Sequence, residues 1–171
     1  TSSSPDSQKL ILRAETGLVL IDKNGTTTLP IARQWGLQTI WSDDGRYFVL
    51  KSSHQITVVD TENKTWWIKK AEDLQSYALG SWDPDNRFLM LLIKKDSSSW
   101  RKMSLLDTKT RKIINVNNLG SSIKGFQWSP DGKYLAVTGS VNSALLYLKN
   151  LRKGKRYLDN ASKVSWSPDS Q

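Results

Sequence analysis

Apolar residues along this chain fall in short runs closed by turn formers, not in the 3.6-residue stripe of a helix. One set comprises Lys9-Leu10-Ile11-Leu12, Tyr47-Phe48-Val49-Leu50, Phe88-Leu89-Met90-Leu91-Leu92-Ile93 and Tyr134-Leu135-Ala136-Val137. A second set closes on a polar residue: Leu18 to Asp22, Ile56 to Asp60, Met103 to Asp107 and Leu146 to Asn150. A third covers Thr27 to Pro30, Trp66 to Ile68, Ile113 to Val116 and Arg156 to Leu158. A fourth comprises Gln38 to Trp41, Tyr77 to Leu79, Gly125 to Trp128 and Lys163 to Trp166. Runs this short, rich in β-branched and aromatic residues, predict strands. Each unit of the chain supplies four.

A turn phrase punctuates the runs: Ser4-Pro5-Asp6-Ser7, Ser42-Asp43-Asp44-Gly45, Asp83-Pro84-Asp85-Asn86, Ser129-Pro130-Asp131-Gly132 and Ser167-Pro168-Asp169-Ser170. The Asp at its third position recurs after 38, 41, 46 and 38 residues. A period near 40 built from four strands predicts β-propeller blades. Pro presets φ at the first corner, Asp accepts local backbone hydrogen bonds, and Gly or Asn takes positive φ where the hairpin closes. Trp41, Trp82, Trp128 and Trp166 each precede the phrase, and they are large enough to fill the space between neighbouring blades. The predicted architecture is all-β, one propeller domain over 1–171. Its units run approximately 1–41, 42–82, 83–128 and 129–166, with 163–171 starting a further one.

The stretch Trp128-Ser-Pro-Asp-Gly-Lys-Tyr-Leu-Ala-Val137, followed by an apolar strand closed by a polar residue, resembles the TolB-like, WD-related β-propeller repeat. The resemblance covers essentially the whole chain. It implies a propeller of at least six blades, of which this chain would be a segment. The family includes periplasmic members and the propellers that gate prolyl-oligopeptidase-type serine peptidases. It therefore implies a periplasmic or extracytoplasmic location, with a cytoplasmic one as the alternative. No Gly-His pair occurs, and no blade ends in Trp-Asp before a turn of the kind the WD repeat proper uses.

Because the phrase stands at both 4–8 and 167–171, the first blade is expected to lack its leading strand and 163–166 to supply a spare one. That makes sixteen strands, either a segment of a longer propeller or a ring of four closed by its own ends. An open array would leave apolar blade faces wet and strand edges unpaired, which favours self-association.

Composition narrows the chemistry. The 171 residues include no Cys and one His, His54, which excludes disulfides, cysteine catalysis and a multi-His metal site. No Gly-x-Ser-x-Gly elbow occurs, and no apolar run is long enough to span a membrane. His54 is expected in a surface loop, no cofactor is expected, and no catalytic residue or metal ligand is assigned.

Charge is uneven. Residues 1–90 carry 10 Lys/Arg and 11 Asp/Glu, while 91–171 carry 15 and 5. Strand direction puts Lys109, Arg111, Lys112, Lys133, Arg152, Lys153 and Lys155 on one face of the last two blades. Such a face suits an acidic protein partner, an anionic polymer or nucleic acid. The leading functional expectation is a non-enzymatic scaffold binding a protein on its loop face. The alternatives are the propeller of a serine peptidase whose catalytic domain lies outside this chain, and a scaffold for an anionic polymer or RNA.

Overall fold

The short runs form antiparallel strands in a computed structural model of the chain, which describes residues 1–15, 17–31, 38–70, 77–94, 100–116, 122–139, 142–148, 155–159 and 163–167. The chain divides into two compact units, Thr1–Leu79 and Gly80–Gln171.

The first unit holds two four-stranded sheets. One is β1 (Ser2–Ser3), β2 (Leu10–Ala14), β3 (Gly17–Asp22) and β4 (Gly25–Leu29), side by side in chain order. The other is β5 (Gln38–Trp41), β6 (Tyr47–Lys51), β7 (Gln55–Asp60) and β8 (Thr65–Lys70), again in chain order. Period-two alternation gives each sheet an inward face. Ile11, Leu18, Leu20, Leu29 and Ile31 pack there against Trp41, Phe48, Leu50 and Val59 in one buried cluster.

The second unit repeats the plan. The second half of β9 (Tyr77–Trp82), with β10 (Phe88–Lys94), β11 (Trp100–Asp107) and β12 (Lys112–Val116), forms one set of strands. The next set is β13 (Ile123–Trp128), β14 (Tyr134–Gly139), β15 (Asn142–Tyr147) and β16 (Lys155–Asp159). A single residue pair, Trp100 with Ile123, joins the two sets through β11 and β13. Their shared core includes Met90, Leu92, Met103, Leu105, Leu135, Val137 and Leu146, with Phe126 and Trp128 packed against it.

Three strand expectations need correcting. The first blade does have a leading strand: Ser2 and Ser3 pair with Ile11 and Leu10. Residues 163–167 form no strand, so the sixteen strands among the described residues are not the sixteen expected. The second strand of the fourth unit runs over Asn142–Tyr147, not Leu146 to Asn150. Tyr134 pairs with Tyr147 there, as Tyr47 pairs with Asp60 and Phe88 with Asp107. Tyr147, not Asn150, therefore occupies the strand-closing position. Asn150 lies outside the described residues.

Candidate functional site

The turn phrases gather at the end of each sheet where charged loops cluster, and their geometry follows from the residue types. The fourth residue of each of the first four takes positive φ: Ser7 58°, Gly45 66°, Asn86 54° and Gly132 67°, while residues 168–170 of the fifth lie outside the described residues. Its N–H donates to the carbonyl of the first residue at 2.9 Å in every case. The first residue then ties the hairpin. Ser4, Ser42 and Ser129 are buried, and each hydroxyl accepts the N–H of the residue five positions on, at 2.8–2.9 Å. The same hydroxyls donate to Asp6, Asp44 and Asp131. That donation holds the Asp6 carboxyl below the usual range. With added help from Lys133, Asp131 falls to about 2.

The third phrase uses a carboxylate where the others use a hydroxyl. Asp83 is 1% exposed, and its Oδ1 accepts the N–H groups of Arg87 at 2.8 Å and Phe88 at 2.6 Å. Burial outweighs these bonds and pushes its pKa up to about 6.

Beside the phrase stands an ion pair that sequence reasoning missed. Arg46 reaches Asp60 at 3.0 Å, and Arg87 grips both oxygens of Asp107 at 3.2 and 2.9 Å. Each guanidinium also lies over the next aromatic ring, Tyr47 at 5.1 Å and Phe88 at 4.6 Å. Burial alone would raise Asp60 and Asp107, but the hydrogen bonds from arginine and the hairpin carry both below the usual range. In the fourth unit Tyr147 stands where the acid would be, and Lys133 pairs with Asp131 at 2.9 Å instead. An Arg directly after the phrase and an Asp closing the next-but-one strand are visible in sequence. Only the register shows that they meet.

Phe88 pairs with Asp107, so the turns at 83–87 and 108–111 lie at one end of their sheet. Asp85 lies against Gly132, which brings the turn at 129–133 to the same end. Lys109, Arg111, Lys112 and Lys133 are therefore grouped, and all four are exposed. Arg111 holds φ at 58°. Lys155 opens β16 opposite Leu146, one register position from that end, while Arg152 and Lys153 lie outside the described residues. Two acids at this end, Asp83 and Asp107, turn inward, while Asp85 is exposed and Asp131 pairs with Lys133. Asp107 is 2% exposed and accepts the N–H of Lys109 at 2.9 Å as well as Arg87. Outward charge is consequently more positive than composition suggests.

The tryptophans divide. Trp41 and Trp82 are buried at 8% and 5% exposure, whereas Trp128 and Trp166 are half-buried. Three indoles reach back to the residue two before the preceding phrase. Trp41 donates to Ser2 Oγ at 3.0 Å, Trp128 to Ser81 Oγ at 2.9 Å and Trp166 to the Gln127 carbonyl at 3.3 Å. Trp166 also stacks on Tyr134 at 6.1 Å.

His54 sits exposed between β6 and β7, its Nδ1 2.7 Å from Ser53 Oγ. An open cleft of about 410 Å³ lies at the turn end of the first unit, lined by residues of both signs, among them Asp6, Lys9, Asp22, Lys23 and Glu62. Among the described residues, no group of three or more His, Asp or Glu side chains is placed to hold a metal, and no helix is long and apolar enough to cross a membrane.

No family model matches the chain. A component of eukaryotic translation initiation factor 3 from Xenopus laevis is 24% identical over 98 residues, 57% of this chain and 14% of that protein. The crystal structure of the eukaryotic initiation factor aligns with 95% of this chain and 43% of its own, at 19% identity and a TM-score of 0.61. The tricorn protease aligns with 98% and 18%, at 10% identity and 0.59. TolB from Acinetobacter baumannii aligns with 99% and 46%, at 16% identity and 0.47. The fold is a β-propeller segment. Its blades are the four-stranded units described above, and its repeat resembles the TolB-like, WD-related kind. The chain spans less than half the length of each of these proteins.

Proposed function

We propose that the chain is a non-enzymatic propeller scaffold that binds an acidic protein surface on its turn face. The observation that carries this is the asymmetry at the end of the second unit. Lys109, Arg111 and Lys112 project into solvent, while Asp83 and Asp107 are buried at 1% and 2% exposure. A rigid sheet presenting loops whose outward charge is mainly positive steers and orients a partner of the opposite charge. The 24%-identical relative is named as one component of a multi-component factor, which supports a role in association.

The test is affinity capture from extract of the source cell, with and without nuclease, comparing the chain with its Lys109→Glu/Arg111→Glu/Lys112→Glu variant. A protein retained by the wild type and lost by the variant is expected. Binding that disappears with nuclease treatment, and otherwise falls steeply with salt, favours the anionic-polymer reading. Turnover of a peptide or ester that is lost in His54→Ala overturns the non-enzymatic one.

A further inference from the structure

Strand β8, Thr65–Lys70, differs from the other outer strands whose side chains are described. It is the free edge of the order β5-β6-β7-β8. Trp66 and Ile68 on it are 37% and 45% exposed, the large exposed hydrophobics among the described residues. They sit two apart, opposite Val59 and Thr57, and so share one face of the sheet. By contrast, β4 presents the threonines of Gly25–Leu29, and β12 exposes Lys112 and Asn115.

An outer edge strand carries a row of outward N–H and C=O groups, which proteins usually guard with charge, Pro or a bulge. Here the guard is one-sided. From Lys64 to Lys70 the chain carries three lysines and no acid, and Lys69 and Lys70 are both exposed. Lys64 is held in place by donating to Thr27 Oγ1 at 2.9 Å. Such positive charge repels a second copy of the same strand but attracts an acidic one. We infer that β8 is a docking edge for an extended acidic segment of another protein, one alternating carboxylates with aliphatic residues, which adds as a fifth strand. Main-chain hydrogen bonds supply the affinity, while Trp66 and Ile68 pack the aliphatic residues and Lys69, on the opposite face of the strand, selects the carboxylates. This surface belongs to the first unit and the lysine-rich turns to the second, and the two are tested by different variants, so the two readings fail independently.

The probe is a short synthetic peptide alternating glutamate with valine, titrated into the full chain by calorimetry and by amide NMR. The expected result is saturable binding, with shifts centred on residues 65–70. Trp66→Thr/Ile68→Thr keeps β-branched residues on the strand and is expected to weaken binding about tenfold or more, with unchanged circular dichroism. Lys69→Glu is expected to switch preference to the lysine–valine peptide. Replacing alternate valines with proline, which removes the ladder donors, is expected to abolish binding. Several results overturn the inference: no binding by the wild type, equal binding of both peptides, or shifts centred elsewhere. Concentration-dependent dimers abolished by Trp66→Thr also overturn it, because the occupant is then a second copy.

Discussion

Asp85 Oδ2 lies 3.0 Å from the position a Cβ on Gly132 would occupy. The turn of one blade is thus seated on the turn of the next, and the same relation recurs between Asp6 and Gly45 at 3.4 Å. Both glycines also hold positive φ, at 67° and 66°, where a side chain is strained whatever the space. Gly132→Ala is therefore expected to cost about 1–3 kcal/mol. Combining it with Asp85→Ala opens the space but leaves the backbone strain, so the double variant should lose less than the sum of the singles. Denaturant titration of the cycle reads this directly. Additive losses mean that the two turns are not in contact.

A second prediction concerns Asp83. With its folded pKa near 6, it still holds a proton after the unfolded carboxyl, near 3.8, has lost its own. Between about pH 4 and 6 the folded state binds more protons, so this residue makes stability fall as pH rises. Above that window the cost is on the order of 2–3 kcal/mol. Asp83→Ser restores the hydroxyl used at Ser42 and Ser129, which can accept the Phe88 N–H and donate to Asp85. The variant should melt higher than wild type at pH 7, and the gap should close toward pH 4. Asp60 and Asp107 act in the opposite sense, since their lowered values stabilise the fold above the unfolded pKa and that contribution is lost on acidification. The wild-type to Asp83→Ser difference isolates the single group.

Blade architecture was legible in sequence because its determinants are local. Ser42-Asp43-Asp44-Gly45 specifies its own turn, and alternation in Tyr47 to Leu50 specifies the strand after it. Register was not. Asn150 matched Asp60 and Asp107 in composition, yet β15 begins at Asn142, just after β14 ends at Gly139, and this brings Tyr147 opposite Tyr134. A register is fixed by connection length as much as by side-chain type. The lysines of the turn face were visible as charge. Asp107 was equally visible, but nothing in its own neighbourhood indicated that Arg87, twenty positions earlier, would draw it inward.

The tryptophans should separate by burial. Trp41 is buried, packs on Phe48 at 4.8 Å and donates to Ser2, so Trp41→Ala is expected to cost about 3–5 kcal/mol. Trp128 is half-buried and keeps part of its ring in water, so Trp128→Ala should cost less, about 2–3 kcal/mol. Equilibrium unfolding in urea would show the order, and a reversed order would mean that Trp128 carries more of the inter-blade packing than its exposure implies.

The Arg87–Asp107 pair should be worth more than Arg46–Asp60. Both arginines are partly exposed, at 41% and 37%, but Asp107 is 3% exposed in its side chain against 16% for Asp60. Both carboxylates also accept hairpin N–H groups, Asp107 from Lys109 and Thr110 and Asp60 from Glu62 and Asn63, so the deeper burial of Asp107 makes the difference. An exposed pair contributes up to about 1 kcal/mol, whereas removing one partner of a buried, multiply bonded group costs about 2–4 kcal/mol. Asp107→Ala is therefore expected to fall in that higher range, and Asp60→Ala at or below its lower end. Arg87→Met keeps the aliphatic stem over Phe88 while deleting the charge, so it should cost less than Asp107→Ala, because the hairpin bonds survive. Chemical denaturation of the three variants at neutral pH, repeated at high salt, tests this: salt should shrink the Arg87→Met loss and leave most of the Asp107→Ala loss. If Asp107→Ala proves no worse than Asp60→Ala, the carboxylate is not the anchor of its hairpin.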